Sequence, residues 1–135
     1  METLSRQPAQ EHHARVLIVD DDRDWCEAAA LLLDMEGIAA ELVHDGDSAI
    51  DRMSRERFDA AIIDVQMPGR WGVDVVRELR ETHGYSLPIL IATGHPVATG
   101  VCAGLLAGAD DEFFKSEPSS EMVAKLRRLW RERAH

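Results

Sequence analysis

Three short apolar runs dominate the hydrophobic pattern of this chain. They are VLIV at 16–19, AAII at 60–63 and ILIA at 89–92, and none of them alternates apolar with polar positions. Unbroken apolar runs of this length are typical of strands buried on both faces, as in a parallel sheet covered by helices. Two more polar segments, ELVH at 41–44 and EFFK at 112–115, fit strands at the edges of the same sheet.

Helical spacing occupies the sequence between these strands. Apolar residues recur every three or four positions in four segments, at 25–33, 49–53, 73–79 and 122–130. Asp24 and Glu27 have the spacing of a capping box at the start of the first segment. A further connector, from about 97 to 107, contains Gly100 and Gly104, each of which weakens a helix by about 1 kcal/mol. We therefore predict a short, mobile helix in that connector.

The order of these elements predicts an α/β fold of the (βα)5 type. Right-handed crossovers would give a doubly wound, parallel five-stranded sheet in the flavodoxin-like order 2-1-3-4-5, with helices on both faces in a three-layer sandwich. In such sheets the functional crevice lies at the carboxyl ends of the central strands. The residues at those ends are therefore the first candidates for chemistry.

Polar residues stand at the end of each predicted central strand and of the last strand. They are Asp20, Asp21 and Asp22 after the first strand, Asp64 after the third, Thr93 after the fourth and Lys115 after the fifth. Carboxylates that lie close together repel unless a cation offsets their charge, and Mg²⁺ prefers one or two carboxylates with room for a phosphate. A carboxylate nucleophile, a cation, a lysine and a hydroxyl together can stabilise a phosphoryl group in transfer.

Composition and charge disfavour several classes of protein. A formal net charge of −10 disfavours direct binding to nucleic acid. No apolar run approaches the roughly 20 residues that span a bilayer, and residues 1–14 lack the apolar stretch of a signal peptide. We expect a flexible extension over 1–14 on a cytoplasmic protein. Cys26 and Cys102 lack metal-ligand spacing, and we expect both to be buried free thiols.

Four motifs, VLIVDDD (16–22), DVQMPG (64–69), IATG (91–94) and FFK (113–115), resemble those of response-regulator receiver domains in two-component signal transduction. The likeness extends from about Arg15 to Arg131, so a receiver domain is expected over 15–133. It implies that the domain is a signalling phosphoacceptor which assists its own phosphorylation and dephosphorylation, rather than an enzyme acting on a separate substrate.

The resemblance also implies a role for each matching residue. Asp64 would be the phosphoacceptor, and the Mg²⁺ ligands would be Asp20, Asp21, Asp64 and the backbone carbonyl of Gln66. Thr93 and Lys115 would contact the phosphoryl oxygens. The phosphoryl group would come from a histidine kinase or a histidine phosphotransfer protein. The output would pass to a downstream protein partner or an output domain, and the fourth helix, fifth strand and fifth helix would form the contact or homodimer face.

Two positions depart from the family pattern. Ser116 replaces the proline that usually follows the lysine, and we expect a trans peptide bond there because a cis bond without proline costs about 2.5–4 kcal/mol. Glu112 replaces the aromatic residue that usually pairs with the threonine, here Thr93, in switching, and a carboxylate is not buried cheaply without a partner. The switch positions would be Thr93 and Glu112, but the usual inward rotation of an aromatic residue would not be available. Output would then run through another element, for which the 97–107 connector is our hypothesis, or the coupling would be weak.

Other interpretations stay open at this point. A degenerate receiver that acts as a constitutive interaction module would also account for Glu112 and Ser116. A Mg²⁺ phosphatase using Asp64 as a transient nucleophile is disfavoured because the chain has no additional substrate-binding segment. Locally, Asp22 and Asp24 are expected to cap or to be solvated. Trp25 excludes a calcium loop because it stands where that loop requires glycine.

Overall fold

The strands form one parallel sheet. The computed structural model describes residues 14–94, 105 and 107–133. Its strands are β1 (Arg15–Val19), β2 (Ala39–Val43), β3 (Ala60–Asp64), β4 (Ile89–Thr93) and β5 (Asp111–Phe114), all paired in parallel in the order β2-β1-β3-β4-β5. The predicted α/β class, strand order and edge positions of β2 and β5 are confirmed.

In the described part of the chain, four helices connect and cover the strands. They are α1 (Arg23–Met35), α2 (Gly46–Arg55), α3 (Gly72–Arg77) and α4 (Ser119–Arg133). After α3 the chain widens into π-helical turns over Glu78–Thr82, where His83 N donates to Glu78 O at 3.2 Å. Most of the 97–107 connector lies outside the described residues, as does the extension over 1–13.

The start of α1 corrects one prediction. Its N-cap is Asp22, whose side chain accepts a hydrogen bond of 3.1 Å from the backbone N–H of Trp25. The predicted capping box at Asp24 is wrong, because β1 ends at Val19 and only two residues separate Asp22 from that strand. The capping role expected for Asp22 is confirmed.

The core is divided between the two faces of the sheet. In β1, Leu17 and Val19 face α2 and α3, whereas Val16 and Ile18 face α1 and α4. Every residue of β3 and β4 is buried, as the unbroken apolar runs predict. The two apolar layers hold the carboxyl ends of the central strands at one edge of the sheet. Within the described ranges, no helix has the length and apolar character needed to span a membrane.

Two local predictions concern residues near that edge. No peptide bond among the described residues is cis, so the Lys115–Ser116 bond is trans as expected. Cys26 is a fully buried free thiol, and burial raises its pKa to about 12. Its Sγ donates to the backbone carbonyl of Asp20 at 3.4 Å. Cys102 lies outside the described residues.

A nearly buried arginine in the π-helical turns contacts the loop before β4 and the loop before β5. The Arg80 guanidinium donates to the carbonyls of Tyr85, Leu87 and Gly108 at 2.9, 2.7 and 2.8 Å, and to the carboxylate of Asp110 at 2.9 Å. Its side chain is 16% exposed. One side chain therefore satisfies acceptors from two separate loops.

We expect Arg80→Met to lower the free energy of unfolding by about 2–3 kcal/mol, because three carbonyls lose this donor and Asp110 loses one of its partners. Asp110 keeps the backbone N–H of Ile89 at 2.7 Å and Arg133 at 3.1 Å. Urea denaturation measures the change. Arg77→Met is the matched control, since Arg77 is 47% exposed and has one ion pair with Asp74, which contributes less than about 1 kcal/mol. Equal stability of the two variants would contradict this account of Arg80.

Candidate functional site

The register of the sheet brings the predicted site residues together. Val19 lies opposite Ile63, so the residues that follow them, Asp20 and Asp64, emerge side by side. On the other side of β3, Asp64 lies opposite Ala92, the residue before Thr93. The β4–β5 ladder continues this edge to Lys115, whose backbone N–H donates to Thr93 O at 2.8 Å.

Three carboxylates converge at this edge. Oxygens of Asp20, Asp21 and Asp64 all lie within 4.8 Å of one another. Asp20 and Asp64 are 1% and 8% exposed, whereas Asp21 is open to solvent. Hard oxygen ligands with one open side are what Mg²⁺ requires if it is also to bind a phosphate. The donor set therefore fits a hard divalent cation.

Lys115 lies against two of these carboxylates. Its Nζ is 2.6 Å from Asp20 Oδ2 and 3.8 Å from Asp64 Oδ1. The buried Asp20 Oδ2 is held as an ion pair, since it accepts no hydrogen bond of suitable angle among the described residues. Asp20 Oδ1 in contrast accepts from the backbone N–H of Asp22 at 2.9 Å. Asp20 Oδ2 can therefore still coordinate a cation.

Burial and neighbouring charge change the acidity of Asp64. Desolvation is the largest cause, and the charge of Asp20 adds to it, so the pKa of Asp64 rises from 3.8 to about 7. Lys115 opposes the rise and Asp21 adds a smaller increase. Without a cation, the carboxyl is therefore partly protonated near neutral pH. A cation in the cluster would favour its ionised, nucleophilic form.

The remaining predicted residues divide into two groups. Gln66 and Thr93 line the same cleft of about 260 Å³ as the carboxylates and Lys115. Gln66 is exposed, whereas Thr93 is only 2% exposed. Glu112 does not line the cleft: it lies on the edge strand β5 opposite Ile91 and is partly exposed. Its partial exposure agrees with the expected cost of burying a carboxylate.

A larger groove, of about 630 Å³, lies at the opposite edge of the sheet. It is lined by residues that precede β3 and β4, including Phe58 and Pro88, together with Trp130 of α4. Its Glu56 is paired with Arg15 at 2.7 Å and Arg52 at 2.9 Å. None of the predicted site residues lines it, so the smaller cleft remains the candidate site.

The sequence did not predict the contact between Trp25 and Lys115. The Lys115 Nζ lies 4.7 Å from the centroid of the Trp25 ring. The helical pattern places Trp25 on the apolar face of the first helical segment, but it does not show which strand end that face meets. The sequence carries no local signal for this contact, because the contact joins the start of α1 to the end of β5.

Comparisons with known proteins agree with this arrangement. Residues 16–127 match the family described as response regulator receiver domain. Response regulator MprA of Mycobacterium avium is 43% identical over 117 residues, which are 87% of this chain and 51% of the relative. The same regulator of Mycobacterium tuberculosis (strain ATCC 25618 / H37Rv) is also 43% identical, over 87% of this chain and 50% of its own. The chain thus spans about half the length of these curated relatives.

Solved structures share the fold over nearly their whole length. The chemotaxis response regulator CheY4 of Vibrio cholerae superposes with a TM-score of 0.79 at 29% identity, covering 87% of this chain and 98% of that one. The response regulator TrrA of Thermotoga maritima, solved in complex with Mg²⁺-BeF, gives 0.78 at 27% identity, covering 86% and 98%.

Proposed function

The chain belongs to the response regulator receiver domain family, and on that premise we propose that Asp64 accepts a phosphoryl group in the presence of Mg²⁺. The observation that supports this best is the meeting of three carboxylates within 4.8 Å, next to the ammonium of Lys115. A helix cap or a solvated surface acid needs neither the burial of Asp64 nor these neighbours. Phosphorylation would then switch interactions with other proteins.

Asp64 would act as the nucleophile. One of its carboxylate oxygens would form a bond to phosphorus while the bond between phosphorus and the donor nitrogen breaks, and the electron pair stays on the leaving imidazole. The proposed Mg²⁺ ligands are Asp20, Asp21, Asp64 and the backbone carbonyl of Gln66. When bound, Mg²⁺ would neutralise charge on the carboxylates and on the phosphoryl oxygens. The fold relative TrrA, solved with Mg²⁺-BeF, supports this choice of cation.

Lys115 and Thr93 would bind the transferred group. The Lys115 ammonium lies 3.8 Å from Asp64 Oδ1, close enough to reach a phosphoryl oxygen attached to that carboxylate. Thr93 lines the cleft from β4 and would contribute its hydroxyl. Both residues would therefore stabilise the phosphorylated state and assist its formation and loss.

The proposed donor is a histidine kinase or a histidine phosphotransfer protein in the cytoplasm. Because the matched segment is only about half of the MprA relatives, we propose that the output reaches either a downstream protein or an output domain. The proposed domain limits are 15–133, with an extension over 1–14. Switching is proposed to involve Thr93 and Glu112. A homodimer face on the 97–107 connector, β5 and α4 stays a proposal by family analogy.

Incubation with acetyl phosphate and Mg²⁺ is expected to add one phosphoryl group, detected by intact mass spectrometry and located by borohydride trapping and peptide mapping. EDTA should prevent the labelling because the carboxylate cluster then lacks its cation. Asp64→Asn should remove the label. Asp22→Asn is the matched control and should keep it, since Asp22 caps α1 and its side chain is not among the predicted ligands.

The same experiment separates the proposed function from a degenerate receiver that acts as a constitutive interaction module. Such a module would take no label at any Mg²⁺ concentration. Labelling of Asp64→Asn to the wild-type level would instead assign the phosphoryl group to another residue. Either outcome would overturn the proposed role of Asp64.

A further inference from the structure

An aromatic ring lies against the ammonium of the candidate site. The Lys115 Nζ is 4.7 Å from the centroid of the Trp25 ring, within the distance of roughly 6 Å over which a ring face attracts a cation. Trp25 belongs to the first turn of α1, whereas Lys115 follows β5. The contact therefore joins two elements that are far apart in sequence.

We propose that Trp25 is a positioning residue that holds the Lys115 ammonium at the cleft for its contact with the phosphoryl group. This role rests on the proposed phosphorylation of Asp64. Asp20 holds the ammonium at 2.6 Å and Asp64 at 3.8 Å, so carboxylate attraction alone favours the Asp20 side. The indole adds a third attraction, since the ammonium lies over its ring.

The neutral ring differs from a third carboxylate in two ways. The ring attracts the ammonium without offering an acceptor oxygen, so the N–H donors of Lys115 stay available to phosphoryl oxygens. It also keeps its attraction when the carboxylate charges are offset by a cation, whereas the ion pairs with Asp20 and Asp64 then weaken. The Lys115 side chain is 15% exposed.

Hydrogen bonds hold the backbone that carries the ring. Asp22 caps α1 through the N–H of Trp25 at 3.1 Å, and the N–H of Asp22 donates to Asp20 Oδ1 at 2.9 Å. Trp25 is therefore tied by two hydrogen bonds to the carboxylate that also pairs with Lys115. Movement of the first turn of α1 would move the ring and change its distance from the ammonium.

A spectroscopic test reads the contact directly. The chain contains two lysines, Lys115 and Lys125, so selective ¹³C-lysine labelling gives two resolvable sets of signals. The ring current should shift the ε-methylene protons of Lys115 upfield of those of Lys125. Trp25→Leu should abolish this shift and Trp25→Phe should keep most of it. An unchanged Lys115 signal in Trp25→Leu would overturn the proposal.

A kinetic test reads the consequence. Trp25→Leu should lower the rate of labelling by acetyl phosphate about three- to tenfold, as expected for a partly desolvated cation–ring contact. Trp25→Phe should stay within about twofold of the wild type because it keeps an aromatic face. In a Lys115→Met background, Trp25→Leu should cause no further loss, as a double-mutant cycle requires for two residues acting through one contact.

The outcomes distinguish the positioning role of Trp25 from the proposed phosphorylation of Asp64. A full further loss in the Lys115→Met background would show a general structural role for Trp25 and overturn the positioning role. Absence of labelling in the wild-type protein would overturn the proposed function instead, and the lysine spectra would still decide whether Trp25 holds the ammonium.

Discussion

The Asp64→Asn variant is expected to be more stable than the wild-type protein in EDTA, by about 4 kcal/mol at about pH 8. Burial and the charge of Asp20 raise the pKa of Asp64 from 3.8 to about 7. A shift of about three pKa units at about 1.4 kcal/mol each gives this free energy. An asparagine has a similar shape but carries no charge, so the cost of ionising residue 64 inside the fold disappears.

The sign of the pH dependence follows from the direction of the shift. A carboxyl whose pKa is raised on folding binds its proton more tightly in the folded state, so it makes the protein less stable as the pH rises from about 4 to about 7. Below about pH 4 the carboxyl is protonated in both states, and the stabilities of the two proteins should converge. Groups such as Asp45 and Glu56, whose pKa values are lowered, are present in both proteins and cancel in the comparison.

Urea denaturation of both proteins in EDTA at several pH values measures the difference. Mg²⁺ should stabilise the wild-type protein more than the variant, because it offsets the charge that the variant lacks. A variant that loses its phosphoryl label while gaining stability has lost function without unfolding. A pH-independent difference between the two proteins would contradict the assigned acidity of Asp64.

The second large effect is expected from Gly72→Ala, which should lower the free energy of unfolding by about 3 kcal/mol or more. A Cβ atom at Gly72 would lie 1.9 Å from the backbone oxygen of Asp64 and 3.1 Å from Val65 Cα. Both obstacles are backbone atoms, so no side-chain rotation relieves the clash. The N–H of Gly72 also donates to Val65 O at 2.8 Å, which holds α3 against the end of β3.

The expected sign is opposite to helix propensity. Gly72 is the first residue of α3, and alanine would otherwise favour a helix by about 1 kcal/mol. Gly94→Ala is the matched control, since a Cβ there meets no atom of the described residues within 4 Å. We expect that control to change stability by less than about 1 kcal/mol. Urea denaturation of the two variants tests the clash, and a stable Gly72→Ala would contradict it.

Most of the fold could be predicted because the central strands are recognisable in the sequence as unbroken apolar runs. β1, β3 and β4 are buried on both faces, and such strands need no information from distant residues to be recognised. The start of α1 was placed wrongly because Asp22 and Asp24 are both suitable caps. Which of them caps depends on where β1 ends. The π-helical turns after Arg77 have no signal in the hydrophobic pattern.

The sequence predicted which residues belong to the candidate site, but the distances between their side chains depend on how the elements pack against one another. Residue order along the chain indicates that Asp20, Asp64 and Lys115 reach one edge of the sheet. It does not indicate that the ammonium lies closer to Asp20 than to Asp64, nor that Trp25 covers it. Those distances depend on how α1 packs relative to β5, which local periodicity does not determine.

The hydrogen bond from Lys115 N to Thr93 O joins the two proposed phosphate-binding residues through their main chains. This bond is the last backbone hydrogen bond between β4 and β5, so the two strand ends move together. The side chains of Thr93 and Lys115 can each change their distance from Asp64 by rotating about their own bonds while this hydrogen bond is kept. Under the proposed function, phosphorylation of Asp64 would therefore reach the β4–β5 edge through a change of side-chain rotamer, or through the opening of this hydrogen bond.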